Sequence, residues 1–184
     1  TPDILVFTPK GGQKSIEKGA TALDFAYSIH SQIGNKAIAA KVNLKLVPLS
    51  YVLKTGDQIE IITAENEKPK REWLEFVKTS KARKFILDSL KSQRQNTINI
   101  GKAKLTEELE SIGRKLNDKT IRSLMEEFEI FDSKPEELYF KIGSGIISLD
   151  GLSENLKKYY GINKESYFVI SNSDEKHKYI LASC

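Results

Sequence analysis

The apolar residues of the first 63 positions fall into short strand-like runs that are interrupted once by a helical pattern. These runs lie at residues 3–8, 13–17, 37–42, 45–47 and 58–63. Turn residues at 9–12 and 54–57 separate neighbouring runs, as expected for strands that return on one another. After the second run, apolar residues recur at helical spacing. Because a small mixed sheet needs one face covered, this order predicts a β-grasp (ubiquitin-like) domain over residues 1–64.

The helical pattern at residues 19–34 has recognisable ends. Thr21 and Asp24 have the spacing of a capping box at the first turn, and Gly34 follows the last apolar position, where helices commonly end. The predicted core-facing arc consists of Ala22, Ala26, Ile29 and Ile33. His30 lies at the rim of that arc, near Tyr27. From the pattern alone, we interpret His30 as a half-buried packing residue rather than a binding residue.

A change of period after residue 64 indicates a second domain. Residues 65–70 are polar and contain a proline, which is typical of a linker, and residues 71–162 are predicted to be helical. The apolar stripe of residues 71–90 is interrupted at 79–84. This predicts either two helices that meet near Thr79, capped by Thr79 or Ser80, or one helix with a basic patch in its face.

The rest of the chain predicts a small helical bundle and a final hairpin. Residues 92–101 lack a helical stripe and end in glycine, so we expect a loop there. Four helices are expected at 105–116, 118–128 with Asp118 as the cap, 133–143, and 148–161. Strands are expected at 167–171 and 178–182, within a hairpin region of residues 163–184. The predicted fold class is therefore α+β, a β-grasp domain followed by a helical bundle and a β-hairpin.

Composition and charge narrow the function. The chain has 184 residues, of which 39% are hydrophobic, and it contains no run of ~18 apolar residues, so we expect a cytoplasmic protein without membrane contact. We also expect it to be a piece of a longer protein. The net charge is +1 over residues 1–65, +7 over 66–104 and −4 over 105–184. The basic middle segment is explained equally by an anionic partner and by a solvated helix face.

Catalytic motifs are absent from the sequence. His30 and His177 have no His-Asp or His-x-x-x-His partner, and the single cysteine, Cys184, cannot provide a zinc site alone. The Gly11-Gly12 pair lacks the Lys-Ser/Thr ending of a phosphate loop. We therefore predict no active site, metal or cofactor in this fragment.

Two groups of residues carry a resemblance to a known family. Residues 18–31 (KGATALDFAYSIHS), followed by Gly34-Asn35-Lys36, resemble the TGS domain shared by threonyl-tRNA synthetases, Obg-related GTPases and RelA/SpoT proteins. Residues 46–51, 53–63 and 68–83 resemble the RelA/SpoT enzymes, which make and break the alarmone (p)ppGpp. The similarity is specific over residues 3–87 and weaker through the helices, although 138–148 still resembles the family's helical domain. Leu44 is a departure, because the family often has Asn-Gly at this hairpin.

The resemblance implies a noncatalytic regulatory segment of a GTP pyrophosphokinase or (p)ppGpp hydrolase. In the family it resembles, the TGS domain meets the acceptor end of an uncharged tRNA on the ribosome during the stringent response. This implies that His30 and Tyr27 contact the tRNA 3′ end. The basic residues implied to lie along the RNA backbone are Lys78, Lys81, Arg83 and Lys84. Residues 181–184 resemble the opening of a zinc-finger-like module, with Ser183 in place of a proline, so Cys184 would be a metal ligand in the full-length protein.

Two alternatives remain open. The β-grasp sheet could bind a protein, either acyl carrier protein or the catalytic domains of the same parent chain, as an interaction or autoinhibitory module. The chain could also be the N-terminal region of a threonyl-tRNA synthetase. The latter is disfavoured because its editing site would be rich in histidine, and residues 65–184 contain only His177.

Overall fold

Five short strands form the N-terminal part of the protein, in the order that the sequence predicted. The computed structural model describes residues 2–161 and, for the backbone only, residues 167–171 and 178–182. The strands are β1 (Asp3–Phe7), β2 (Gln13–Glu17), β3 (Ala37–Val42), β4 (Lys45–Val47) and β5 (Ile59–Thr63). The mixed α and β architecture confirms the predicted fold class.

The strands pair in two groups that meet at one point. β1 and β2 form an antiparallel hairpin, and β4, β3 and β5 form an antiparallel sheet with β3 in the centre. A parallel bridge between Phe7 and Gln58 joins the groups, and the Phe7 amide donates to the Asp57 carbonyl at 2.8 Å. The result is the mixed sheet of a β-grasp domain.

Helix α1 (Ala22–Ile29) is buried on two faces rather than one, since its residues 22–27 are all buried. Ala22 and Phe25 pack with the sheet, in a core with Val42 and Ile59. The opposite face packs in a second core that includes residues after the predicted linker. Its members are Leu23, Ala26, Tyr27, Ala37, Leu49, Trp73, Val77, Ala82 and Ile86. Residues 1–93 consequently form one compact unit.

The end of α1 differs from the prediction. The helix stops at His30, whose backbone is extended, and a short helix α2 (Ser31–Asn35) follows. Gly34 is therefore inside α2 and does not end α1. Ile29, which was assigned to the core arc, is 43% exposed because the break turns the chain away from the sheet before the arc is complete.

Thr79 separates two helices, as one of the sequence alternatives proposed. A 3₁₀ helix (Arg71–Glu75) precedes it and α3 (Ser80–Ser111) follows it. The Thr79 hydroxyl accepts a hydrogen bond from the Ala82 amide at 3.2 Å, which identifies Thr79 as the cap.

The prediction of a loop at residues 92–101 is wrong, because α3 continues through this segment without a break. The segment reads as polar because most of it faces solvent, whereas Ile98 and Gly101 are buried and continue with Leu105 and Leu109 at spacings of three, four and four. Gly101 was interpreted as the end of that loop, but it is the small member of this buried stripe.

Three further helices complete the second compact unit, residues 94–184. They are α4 (Asp118–Glu127), α5 (Pro135–Gly143) and α6 (Leu149–Tyr159). Their core also includes Leu105, Leu109 and Ile98 of α3. The cap of α4 is Asn117, whose side chain accepts from the Thr120 amide at 2.9 Å, and not Asp118, which lies in the first helical turn.

The predicted C-terminal strands are confirmed as β6 (Tyr167–Ser171) and β7 (Lys178–Ala182), which pair antiparallel. Cys184, the predicted metal ligand, lies outside the described residues.

The turn between β3 and β4 carries a strained leucine. Asn43 and Leu44 both have positive φ, 51° and 67°, as in the tight hairpin turn that usually contains Asn-Gly. Asparagine tolerates this region, whereas a leucine in it costs about 1–2 kcal/mol. The Leu44 side chain is 85% exposed, so burial offsets little of this cost.

We therefore expect Leu44→Gly to raise the free energy of unfolding by about 0.5–1 kcal/mol, the relief of strain less the added entropy of the unfolded chain. The measurement is urea denaturation followed by the fluorescence of Trp73, which is buried in the same unit. Leu44→Ala keeps the β-carbon and is the control. An equal gain from both substitutions would contradict the assignment of strain to the backbone.

Candidate nucleic-acid interface

The base of the candidate site is a buried carboxylate that joins two helices. Asp24 is 1% exposed and accepts from the Thr21 amide (2.8 Å) and hydroxyl (2.9 Å), which completes the predicted capping box of α1. The same carboxylate accepts from the Lys78 amide (2.9 Å), the Thr79 amide (2.9 Å) and the Thr79 hydroxyl (2.8 Å). One side chain thereby fixes the start of α1 against the start of α3.

His30 lies at the surface where α1 ends. Its Nδ1 accepts from the Gln32 amide at 3.0 Å, so the imidazole caps α2 and is held in one orientation. Since Nδ1 acts as an acceptor, the proton of the neutral ring is assigned to Nε2. His30 is exposed and not half-buried as the pattern indicated. The site therefore presents an oriented N–H donor on an aromatic ring.

Tyr27 supports this surface from below. It is completely buried, and its hydroxyl donates to the Asn35 side-chain oxygen at 2.9 Å. A β-carbon added to Gly34 would lie 2.2 Å from the Tyr27 ring, so the ring occupies the space that a side chain would need. The Phe85 ring stacks on the Tyr27 ring, and the two ring centroids are 6.0 Å apart. Burial raises the pKa of the Tyr27 hydroxyl above its usual range, so it remains a donor.

The expectation that Tyr27 touches the tRNA end directly is therefore corrected. A ring without exposed surface has no face on which a base could stack. Helical spacing placed Tyr27 beside His30 at the rim of the predicted arc. The sequence did not show that a second face of α1 is packed, and this packing buries Tyr27.

The four basic candidates lie around the start of α3 and are all exposed. The Lys78 side chain runs past Gly19, with its Cε 3.7 Å from the position that a β-carbon would occupy there. Arg83 donates to the Leu74 carbonyl at 3.1 Å, so part of its guanidinium is already used within the fold. Lys81 and Lys84 make no ion pair among residues 2–161. These side chains form a basic surface that α1 and α3 hold in place through Asp24.

An apolar groove on the first compact unit was missed in the sequence. It has a volume of about 280 Å³ and is formed by residues of α1, α2, β5 and the β1–β2 turn. Its lining includes Ile29 and Ile33, the residues that flank His30 at positions −1 and +3. Their helical spacing predicted that both residues face the core. Because the helix breaks at His30, they line a surface groove instead.

The described part of the chain contains neither a metal-ligand cluster nor a membrane-spanning helix. No group of three or more His, Cys, Asp or Glu side chains there could hold a metal ion. None of the described helices is both long and apolar enough to cross a membrane.

Comparison with known proteins gives two family matches and several relatives. Residues 4–63 match the TGS domain, and residues 90–156 match the RelA/SpoT AH domain. A GTP pyrophosphokinase of Escherichia coli K12 is 38% identical over 168 residues, 89% of this chain and 22% of the relative. A guanosine-3′,5′-bis(diphosphate) 3′-pyrophosphohydrolase of Aquifex aeolicus is 43% identical over 147 residues, 79% of this chain and 21% of the relative.

A GTP pyrophosphokinase of Myxococcus xanthus is 46% identical over 110 residues, 59% of this chain and 14% of the relative. This chain thus spans about a fifth or less of the length of these curated relatives.

Proposed function

Because the chain belongs to the RelA/SpoT family and carries its TGS and AH domains, we propose that it is a regulatory segment that senses uncharged tRNA on the ribosome. The proposal gives His30 the contact with the single-stranded 3′ end of the tRNA. It gives Tyr27 the role of a buried support. Lys78, Lys81, Arg83 and Lys84 provide attraction for the RNA backbone.

The geometry of His30 is the observation that carries this proposal. An exposed imidazole, held by its hydrogen bond to the Gln32 amide, offers a ring for stacking and an Nε2–H donor for a ribose or phosphate oxygen. The apolar groove lined by Ile29 and Ile33, which flank His30 along the chain, offers space for part of an unpaired base. Ends of RNA are recognised in this way because their bases are unstacked and accessible.

The basic surface supports the same partner. Exposed lysine and arginine side chains near the start of α3 attract phosphates without reading sequence, which suits a sensor that must accept many tRNAs. The four basic residues belong to the segment of residues 66–104, which has a net charge of +7.

A capping-conservative substitution tests the role of His30. His30→Asn retains an N-cap acceptor for the Gln32 amide but removes the imidazole, whereas His30→Ala removes both. We expect both variants to bind uncharged tRNA roughly tenfold more weakly, a loss of about 1.4 kcal/mol. Fluorescence anisotropy with tRNA labelled away from its 3′ end measures this affinity.

The controls separate a site effect from a fold effect. Trp73 fluorescence should show that His30→Asn unfolds like the unsubstituted chain. A tRNA lacking its terminal CCA should bind the unsubstituted chain and His30→Asn equally. If His30→Asn binds intact tRNA as tightly as the unsubstituted chain, His30 is not at the 3′ end.

For the whole protein we propose synthesis or hydrolysis of (p)ppGpp in the cytoplasm, with the catalytic domains outside this chain. The relatives' names, GTP pyrophosphokinase and pyrophosphohydrolase, support this proposal. This segment would act on those domains as a regulatory partner and would itself contribute no catalytic group.

A second candidate function, protein binding by the sheet, has its own observation. Lys41 pairs with Leu46 on one side and Glu60 on the other, so the three share the outer face of the sheet. Leu46 is 69% exposed there, and Ile38 of the same sheet is 44% exposed. Such apolar surface suits a protein, such as acyl carrier protein or the catalytic domains, better than RNA.

Salt dependence distinguishes the two candidates. Contacts with Z phosphates of a single strand give a slope of about −0.7Z in log affinity against log salt concentration, and apolar protein contacts give a shallower one. Leu46→Ser should weaken only protein binding.

A further inference from the structure

A second basic surface lies in the helical unit. Residues 113–120, between α3 and the first turn of α4, and the tyrosines that end α6 enclose a cleft of about 390 Å³. Its lining residues include Arg114, Lys115, Lys119, Tyr159 and Tyr160. A cleft of this volume is in the range of small-ligand sites.

The charge of the cleft is opposite to that of the surrounding sequence. Residues 105–184 have a net charge of −4, yet Arg114, Lys115 and Lys119 lie together and are all exposed. Among residues 2–161, none of the three is in an ion pair. Asp118 lines the neighbouring groove and not this cleft. Three exposed cations that make no ion pair within residues 2–161 attract an anion.

The two tyrosines have different roles. Tyr160 is part of the fold, because its hydroxyl is 2.7 Å from the Thr120 hydroxyl and the Arg114 guanidinium lies 4.6 Å from its ring centroid. Tyr159 is 45% exposed, and its hydroxyl accepts from the Ser123 hydroxyl at 3.2 Å. The two rings meet edge to face with centroids 4.9 Å apart, which holds Tyr159 in place.

We propose that this cleft binds a phosphorylated nucleotide, with the base stacked on Tyr159 and the phosphates on Lys115 and Lys119. An aromatic ring beside several cations is the combination that binds nucleotides without strong base preference, because every base has a π-face. Arg114, already packed on Tyr160, adds charge from the side of the cleft. The nucleotide is either free or part of a single-stranded RNA, since both present a base next to a phosphate.

Isothermal titration of the whole chain with ATP, GTP and hexa-adenylate RNA tests the proposal, with inorganic tripolyphosphate as the charge-only probe. We expect at least one nucleotide probe to bind more tightly than tripolyphosphate. Lys115→Ala/Lys119→Ala should weaken that binding by about tenfold, and Tyr159→Leu by a similar factor, whereas Tyr159→Phe should change it less than about twofold. ATP and GTP should bind alike.

The matched control is Lys104→Ala/Lys134→Ala, which removes two lysines of the same unit outside the cleft and should leave the affinity unchanged. Binding of hexa-adenylate without ATP or GTP would identify RNA as the source, and binding of the mononucleotides would identify the free ligand. Overturning results are binding of none of the probes, equal loss in the control variant, or an unchanged affinity in Tyr159→Leu. The His30 variants should bind these probes normally, so this proposal and the proposed function can fail separately.

Discussion

Gly101→Ala is expected to destabilise the helical unit by about 3 kcal/mol, although alanine is the better helix former by about 1 kcal/mol. A β-carbon at Gly101 would lie 1.7 Å from the Tyr139 carbonyl oxygen, and one at Gly143 would lie 2.0 Å from the Thr97 carbonyl oxygen. The clashes are with backbone, so a side-chain rotation cannot relieve them. Helices α3 and α5 would have to move apart and lose packing of the buried Leu138 and Ile142.

Two optical signals locate this effect. Urea denaturation followed by circular dichroism at 222 nm reports all helices, whereas Trp73, the only tryptophan, reports the unit of residues 1–93. We expect the circular dichroism transition to shift far more than the fluorescence transition. Asn96→Ala, on an exposed position of the same helix, is the control and should stabilise by about 0.5 kcal/mol. A Gly101→Ala protein as stable as Asn96→Ala would contradict the close approach of α3 and α5.

Asp24→Ala is expected to cost about 4 kcal/mol of unfolding free energy in the N-terminal unit. The substitution removes an acceptor that five donors share. They are the amide and hydroxyl of Thr21, the amide and hydroxyl of Thr79, and the amide of Lys78. Each buried donor left without an acceptor costs about 1–3 kcal/mol, and partial access of water reduces the total. Here the Trp73 fluorescence transition should move most, because Trp73 packs in the core that α1 shares with α3.

A double-mutant cycle with Thr79 tests whether the two residues share one hydrogen-bond network. Thr79→Ala alone removes one hydroxyl donor and the α3 cap, and should cost about 1–2 kcal/mol. In the Asp24→Ala protein the Thr79 hydroxyl has already lost its acceptor, so Thr79→Ala should cost less there than in the unsubstituted chain. Asp88→Ala, exposed on α3, is the surface control and should stay within about 0.5 kcal/mol. Additive costs at Asp24 and Thr79 would contradict the shared network.

The sequence was sufficient wherever a local rule and the tertiary structure agree. The spacing of Thr21 and Asp24 predicted the cap of α1, and the helices expected at 133–143 and 148–161 correspond to α5 and α6. The strand runs were predicted to within a residue because alternation and turn residues coincide there.

It was insufficient where a residue's role depends on a distant neighbour. Gly34 was interpreted as a helix end and Gly101 as the end of a loop, yet Gly34 lies against the ring of Tyr27 and Gly101 against the backbone of α5. The second function of Asp24, at the start of α3, depends on contacts made 54 and 55 residues away. His30 was expected at the rim of a helix that runs on to Gly34. Its position at the end of α1, its exposure and its hydrogen bond from the Gln32 amide follow from a break that no residue pattern marked.

The sharing of one carboxylate by α1 and α3 also limits how the protein can be cut. A fragment that stopped at residue 63, where the family match ends, would strip the covering from Leu23, Ala26 and Tyr27 and would leave Asp24 without its donors at Lys78 and Thr79. The compact unit that retains the whole of this packing extends to residue 93. The TGS family match and the compact structural unit therefore end at different residues.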